Sequence, residues 1–222
     1  MNDKERIERL ENVLTQFLQP VKNVPFEIVI RSMTGCRVLD FDPTDADDTK
    51  LLITLKDCAR RVADAVKLTP IRRPRPNEVG NDLEPFVLSA ARQAGLHCSK
   101  PLSKNGRGQG VGYPDLLVTD ASKRPSYLEV KSYSEGSPLT TMRSFYLSPS
   151  ENPKVSLDAR HLLVGFGMRA SPVPGSRDSE YTVASFKIVN LHSLDCDVKY
   201  EFNSDNRRLY REELILAEGT FQ

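Results

Sequence analysis

The chain has 222 residues, of which 39% are hydrophobic, and its formal net charge is +1. A chain of this size and composition can bury a core as one domain, or as one domain with an appendage, which excludes a disordered tail. No apolar run approaches the roughly 20 residues of a membrane-spanning helix, and no signal sequence is visible, so we expect a cytoplasmic protein without membrane contact. The four cysteines and three histidines show no ligand spacing, which disfavours a zinc site or a disulfide framework.

Apolar residues recur at helical spacing in three segments of the chain. Residues 3–19 and 49–66 predict two helices, and residues 77–95 predict a third that ends at Gly95. Residues 67–76 are rich in arginine and proline, which is typical of a connector, and the span 26–41 is ambiguous. We therefore expect a mainly helical N-terminal region over residues 1–70, which supports the core or makes an intermolecular contact, and a second domain over residues 71–222.

Four later segments have the pattern of strands in one sheet. Residues 116–118 and 127–131 are joined by the turn-rich segment Asp120–Pro125, which predicts a hairpin. Residues 161–168 and 181–191 would extend the sheet. The combination of helices with a sheet predicts an α/β or α+β fold.

The hairpin carries charged residues inside apolar runs. Because strand side chains alternate, Glu129 and Lys131 share one face, and the intervening apolar residues lie on the other. If the hairpin is symmetric about Ser122, Asp115 lies directly opposite Glu129, with Cβ atoms about 4.5 to 5.5 Å apart. Two carboxylates this close resist ionisation unless a cation lies between them.

A hard divalent ion such as Mg²⁺ satisfies this arrangement, because it prefers one or two carboxylates together with waters and substrate phosphate oxygens. Lys131 then has two candidate roles, which are to hold an attacking water or to neutralise charge on the phosphate. The alternative is an ordinary surface ion pair, since the pattern acid-x-Lys also occurs at Asp48 and at Asp197. We interpret the first of these copies as a solvated loop before a helix cap and the second as the exposed face of a strand. Only the copy at Glu129 follows a Pro-Asp on an apolar strand at hairpin spacing, which favours a metal site there.

Pro114 and Asp115, followed by Glu129, Val130 and Lys131, resemble the PD-(D/E)XK nuclease motif. The resemblance implies a central mixed β-sheet flanked by helices, Mg²⁺-dependent hydrolysis of phosphodiester bonds, and metal ligation by Asp115 and Glu129. It covers roughly residues 77–168, and the motif is specific to the superfamily rather than to one enzyme.

The same family usually contributes a further acid from a helix ahead of the motif. Glu84 lies beside the apolar stripe of the predicted helix 77–95, which resembles the usual placement. Glu78 lies in the first turn, where the helix dipole favours a carboxylate without any catalytic role. We favour Glu84 as the fourth catalytic residue, beside Asp115, Glu129 and Lys131 of the motif. Because Pro85 disfavours helical geometry at the residue before it, the helix begins at Pro85 or is kinked there.

Within the superfamily, the compact chain without a helicase or nucleotide-binding signature most resembles a type II restriction endonuclease. This resemblance implies sequence-specific cleavage of double-stranded DNA, a homodimer that matches a palindromic site, and a cognate DNA methyltransferase in the same system. Candidate DNA contacts are Lys104, Arg107, Arg143 and Arg160. Two alternatives stay open, which are a structure-specific DNA repair or recombination nuclease of the same fold and a non-catalytic DNA-binding module.

Overall fold

The computed structural model describes residues 2–19, 21–75, 78–108, 112–135, 145–199 and 206–209, together with residues 211 and 214. The chain divides into two compact units, one formed by Pro25–Asp195 and the other by Met1–Val24 with Cys196–Gln222. This division differs from the predicted boundary at residue 70, because the helix that precedes residue 70 contributes to the core of the larger unit.

The secondary structure alternates short strands with helices in the first half and is dominated by strands in the second. In chain order, the elements are α1 (Asp3–Phe17), β1 (Val21–Pro25), α2 (Phe26–Thr34), β2 (Val38–Leu39), α3 (Ala46–Leu68), β3 (Ile71–Arg73), α4 (Val79–Gln93), β4 (His97–Ser99), β5 (Leu116–Thr119), β6 (Pro125–Ser134), β7 (Ala159–Pro172), β8 (Ser179–Asn190), β9 (Asp195–Val198) and α5 (Asn206–Leu209).

The larger unit is built on a mixed sheet with the strand order β3-β8-β7-β6-β5-β4, and β2 pairs with β7 beside this path. Strands β6 and β7 are parallel, as are β2 and β7, whereas the remaining neighbours are antiparallel. The predicted fold class, a central mixed sheet flanked by helices, is confirmed. Strand β6, which carries the second half of the motif, therefore lies inside the sheet, between the long strand β7 and the short strand β5.

The core lies between one face of this sheet and helices α3 and α4. Alternate residues of the central strands are buried there, and the corresponding stripes of the two helices pack on them. The main contributors are Leu128, Val130, Leu162, Val164, Leu51, Leu55, Val62, Leu83 and Val87. Glu129 and Lys131 alternate with Leu128 and Val130, so the motif residues occupy the face of β6 that is turned away from the helical layer.

Helix α4 begins at Val79 and continues through Pro85. Of the two alternatives given by the sequence, a helix start at Pro85 is therefore wrong. Val79 and Leu83 are buried before the proline and Val87 after it. This packing on both sides offsets the single helical hydrogen bond that Pro85 cannot donate.

Two local features of the larger unit were not anticipated. Helix α2 lies in the span that was ambiguous from sequence, and it buries Phe26 and Ile30. Asp48, interpreted as part of a solvated loop, is instead completely buried in the first turn of α3. Its Oδ1 lies 2.7 Å from Nη2 of Arg160 and 3.1 Å from Nη1 of Arg124. These ion pairs join α3 to β7 and to the β5–β6 hairpin.

The smaller unit contains α1 and the two-stranded sheet of β1 and β9. Helix α1 starts with a capping box, in which Asn2 and Glu5 exchange side-chain and backbone hydrogen bonds, and none of its residues is buried. Its apolar stripe is exposed, including Ile7 at 55%, Leu10 at 52% and Phe17 at 56%. In the part of the chain that the structure describes, no helix combines the length and the apolar character that crossing a membrane requires.

Candidate active site

The β5–β6 hairpin positions both halves of the motif. Its paired residues, beginning with Leu116 opposite Leu128, are equidistant from Ser122, so the predicted register is confirmed. One further step along the two strands places Asp115 opposite Glu129. The turn chemistry and the strand alternation therefore bring together two carboxylates that are 14 residues apart in the chain.

Both carboxylates lie in surroundings that oppose their ionisation. Glu129 is 4% exposed. Its burial, followed by the negative charge of Asp115, raises the pKa of Glu129 to about 7. Burial also raises the pKa of Asp115, although the Val130 N–H donates to Asp115 Oδ2 at 2.8 Å and favours the charged form. The pair thus has the electrostatic character of a site that gains from an added positive charge.

Lys131 lies on the same face as Glu129, as the alternation predicts. Its Nζ donates to Glu129 Oε1 at 2.5 Å, and its side chain is 32% exposed. The ammonium therefore contacts the buried carboxylate while part of the side chain remains open to the cavity.

Glu84 reaches the same place from α4. Its Oε2 accepts a hydrogen bond from Lys100 Nζ at 3.1 Å, and Glu84 lines the same cavity as the motif residues. Although burial and the hydrogen bond from Val130 affect the pKa of Asp115 more, the negative charge of Glu84 also raises that pKa. Glu78 occupies the N-cap of α4 and lies outside the described lining of the cavity.

The cavity has a volume of about 690 Å³. Its lining includes residues 146–150 and 152–155. In the described lining, three carboxylates face three lysines, namely Glu84, Asp115 and Glu129 with Lys100, Lys131 and Lys154. We call these six residues the acid–lysine cluster.

The sequence resembles a family model described as type II restriction enzyme MjaV, which it matches over residues 20–213. The chain belongs to this restriction enzyme family. Among curated proteins, the type II restriction enzyme MjaV of Methanocaldococcus jannaschii is 32% identical over 233 aligned positions, which span 98% of each chain. No solved structure matches the chain significantly. The resemblance noted from the Pro114 to Lys131 segment is therefore confirmed.

The cavity of this family member has the donor set for a hard divalent cation. Glu129 Oε2 is buried and has no hydrogen-bond partner among the described residues. The neighbouring Asp115 adds a second carboxylate on the same side of the hairpin. No three Asp, Glu, His or Cys side chains cluster closely enough to hold a metal ion within the described ranges. The ligand set would consist of two carboxylates completed by waters and phosphate oxygens, which is the set that Mg²⁺ prefers.

The four candidate DNA-contact residues differ in their exposure and in their partners. Lys104 and Arg107 are exposed in a loop beside the cavity, where the Lys104 N–H donates to the carbonyl of Pro153 at 3.0 Å. The side chain of Arg160 is only 12% exposed and pairs with Asp48, so its charge is used inside the protein. Arg143 lies outside the described residues.

Sequence reasoning missed Lys154, which lines the cavity and is 6% exposed. It stands alone between Pro153 and Val155, without a motif or an apolar periodicity, so no local signal marked it. The pairing of Lys100 with Glu84 likewise depends on the folded chain.

Proposed function

We propose that the protein is a Mg²⁺-dependent endonuclease that hydrolyses phosphodiester bonds of double-stranded DNA at a specific sequence. The observation that supports this most is the convergence of Asp115, Glu129 and Lys131 at an open cavity in a chain of the restriction enzyme family. Family membership alone would leave the active residues unassigned, and the cavity alone would leave the substrate class open.

The proposed roles follow from the contacts of each residue. Asp115 and Glu129 would hold the cation, which would supply charge neutralisation at the phosphate and activation of a water. Lys131, anchored on Glu129 Oε1, directs its ammonium at the attacking water. Glu84 completes the acid set from the α4 side and keeps Lys100 at the rim of the cavity.

We propose that DNA enters along the side of the cavity that carries the loop of residues 103–107. Ser103 Oγ donates to the Arg107 carbonyl at 2.6 Å and closes this loop. Lys104 and Arg107 are both exposed there and would contact phosphates, which supplies affinity without sequence information. Arg160 is left out of this proposal because of its internal ion pair.

We also propose a homodimer, because a two-fold protein matches a palindromic site and can cut both strands. The exposed apolar stripe of α1 supports this, since a stripe of this kind gains free energy when a second copy covers it. A cognate DNA methyltransferase would protect the host DNA, and both enzymes would act in the cytoplasm, where that DNA lies.

A plasmid digest tests the proposed function. We expect discrete fragments when Mg²⁺ is added and none when the cation is chelated. Asp115→Asn and Lys131→Ala should abolish cleavage while circular dichroism shows an intact fold. The matched controls Asp64→Asn and Lys50→Ala, which change exposed residues of α3, should cut like the wild type.

The other outcomes separate the alternatives. Cleavage that depends on nicks, branches or ends rather than on sequence would indicate a repair or recombination nuclease. DNA binding without any cleavage would indicate a non-catalytic module. Retained cutting by Asp115→Asn or Lys131→Ala would refute the assignment of the active residues.

A further inference from the structure

We propose that Lys154 is a positioning residue, whose ammonium holds the backbone turn that presents Asp115 to the cation and the DNA phosphate. This inference rests on the proposed function of the cavity. It assigns a role in that function to a residue that lies outside the nuclease motif.

The ammonium of Lys154 binds the turn directly. Its Nζ donates to the carbonyl of Gly112 at 2.6 Å and to the carbonyl of Pro114 at 3.2 Å. These two carbonyls belong to the residues on either side of Tyr113, and that of Pro114 immediately precedes Asp115. An ammonium has three donors and no acceptor, so two of its three hydrogen bonds are committed to this turn.

The lysine itself is firmly placed. On one side of it, the Pro153 carbonyl accepts the Lys104 N–H at 3.0 Å. On the other side, the Ser156 N–H donates to the hydroxyl of Tyr127 at 3.0 Å, and Tyr127 is completely buried on β6. Lys154 therefore connects the turn to the same strand that carries Glu129 and Lys131.

The side chain of Tyr113 provides an independent anchor for the turn. Its hydroxyl lies 2.6 Å from Nδ1 of His161, and the two rings stack with centroids 5.7 Å apart and 12° between their planes. Burial lowers the pKa of His161 to about 3, so this histidine is neutral and serves as a hydrogen-bond partner. The turn before Asp115 is thus held through its backbone by Lys154 and through Tyr113 by His161.

The burial of a charged lysine needs a compensating reason. Desolvation lowers the pKa of Lys154, while the charges of Asp115, Glu84 and Glu129 act in the opposite direction. A residue needed only to fill space would be apolar here, because burying an ammonium costs free energy. The two carbonyl contacts and the surrounding acids explain why a lysine is accommodated.

Lys154→Met and Lys154→Arg separate the positioning role from the effect of charge. Methionine keeps an unbranched apolar chain and loses both the donors and the charge, whereas arginine keeps donors and charge. Removal of a positive charge by itself would tighten the binding of a divalent cation. Loss of a group that orients a metal ligand typically weakens metal binding by about 10- to 100-fold. The direction of the change therefore identifies the role.

Binding of Mn²⁺, measured by calorimetry on the full chain without DNA, is the primary measurement. We expect Lys154→Met to bind Mn²⁺ at least about tenfold more weakly than the wild type, and Lys154→Arg to recover most of the loss. In cleavage assays, kcat should fall for Lys154→Met, while KM for DNA changes less than about threefold, because the exposed cations that contact DNA are retained. The control Lys50→Met, in an exposed lysine of α3, should match the wild type in both assays.

Unchanged or tighter Mn²⁺ binding by Lys154→Met would overturn the inference. If this variant does not fold, Lys154→Gln, which retains a donor without the charge, is measured in the same way. Loss of folding in both variants would assign Lys154 to stability alone and would also overturn it. A wild-type protein that binds Mn²⁺ but cuts no DNA would refute the proposed endonuclease and leave the role of Lys154 standing.

Discussion

Glu129→Gln should stabilise the cation-free protein at alkaline pH. The carboxyl of Glu129 has a pKa raised from 4.5 to about 7 by burial and then by the charge of Asp115. A carboxyl whose pKa is higher in the folded than in the unfolded chain favours folding through its protonated form. The stability that this carboxyl contributes is therefore fully present below about pH 4.5 and is lost as the pH rises through about 7.

The magnitude follows from the pKa of Glu129. One pKa unit corresponds to about 1.4 kcal/mol, so ionisation of this carboxyl costs the folded protein about 3 kcal/mol at pH 8. The attraction of Lys131 already lowers this pKa and is included in that figure. Glutamine avoids the ionisation, but it leaves an amide donor in a buried position at a cost of about 1 kcal/mol. The expected net gain is about 2 kcal/mol, or about 4 to 8 °C in Tm for a chain of this length.

Thermal unfolding with a chelator present, followed by circular dichroism between pH 5 and pH 8, measures this effect. The gain for Glu129→Gln should be largest at pH 8 and vanish near pH 5. The matched control is Glu135→Gln, just beyond the end of β6, where an exposed pairing with Arg169 lowers the pKa of Glu135 and no gain is expected. A Tm for Glu129→Gln at pH 8 that equals or falls below the wild-type value would refute the reasoning.

Three further predictions concern other parts of the larger unit. Glu84→Gln should lower kcat by about tenfold or more, because it removes an acid from the cavity, whereas Glu78→Gln should leave cleavage unchanged. Equal effects of the two variants would contradict the choice of Glu84 as the catalytic acid of α4. Asp48→Asn should lower the free energy of unfolding in urea by about 3 to 5 kcal/mol, because it leaves two arginines without their buried carboxylate partner. A loss below about 1 kcal/mol would show that these buried ion pairs are dispensable. Lys104→Ala and Arg107→Ala should each reduce the slope of log binding constant against log salt by about 1, and an unchanged slope would remove that side chain from the DNA contacts.

The hairpin was predictable because its determinants are local. The turn residues and the alternation of apolar and charged residues specify which strand positions face each other, and a slip of one residue would bury the charges of Glu129 and Lys131 in the core. The same logic separated this acid-x-Lys copy from the one at Asp197, which lies on the exposed strand β9. The long strands β7 and β8 and the apolar stripes of α3 and α4 were likewise visible as periodic patterns.

Features that depend on distant partners were not predictable. Asp48 follows several polar residues and looks like part of a solvated loop, yet the arginine that neutralises it lies on β7. The outcome at Pro85 was decided by burial on both sides of the proline, which local propensity does not include. Helix α2 is only nine residues long and buries Phe26 and Ile30, too short a pattern to distinguish from a strand.

The acid–lysine cluster shows why a motif describes only part of such a site. The three lysines lie at different distances along the chain from the groups that they bind. Lys131 is two residues from Glu129, Lys100 is sixteen residues from Glu84, and Lys154 is forty residues from the carbonyl of Pro114. Three carboxylates alone would repel one another around the cavity, and the three ammoniums let the chain fold before a cation arrives. A bound cation would compete with Lys131 for the carboxylate of Glu129. The orphaned Oε2 of Glu129 is the one carboxylate atom of the described cluster that is buried without a hydrogen-bond partner, which makes it the natural first ligand.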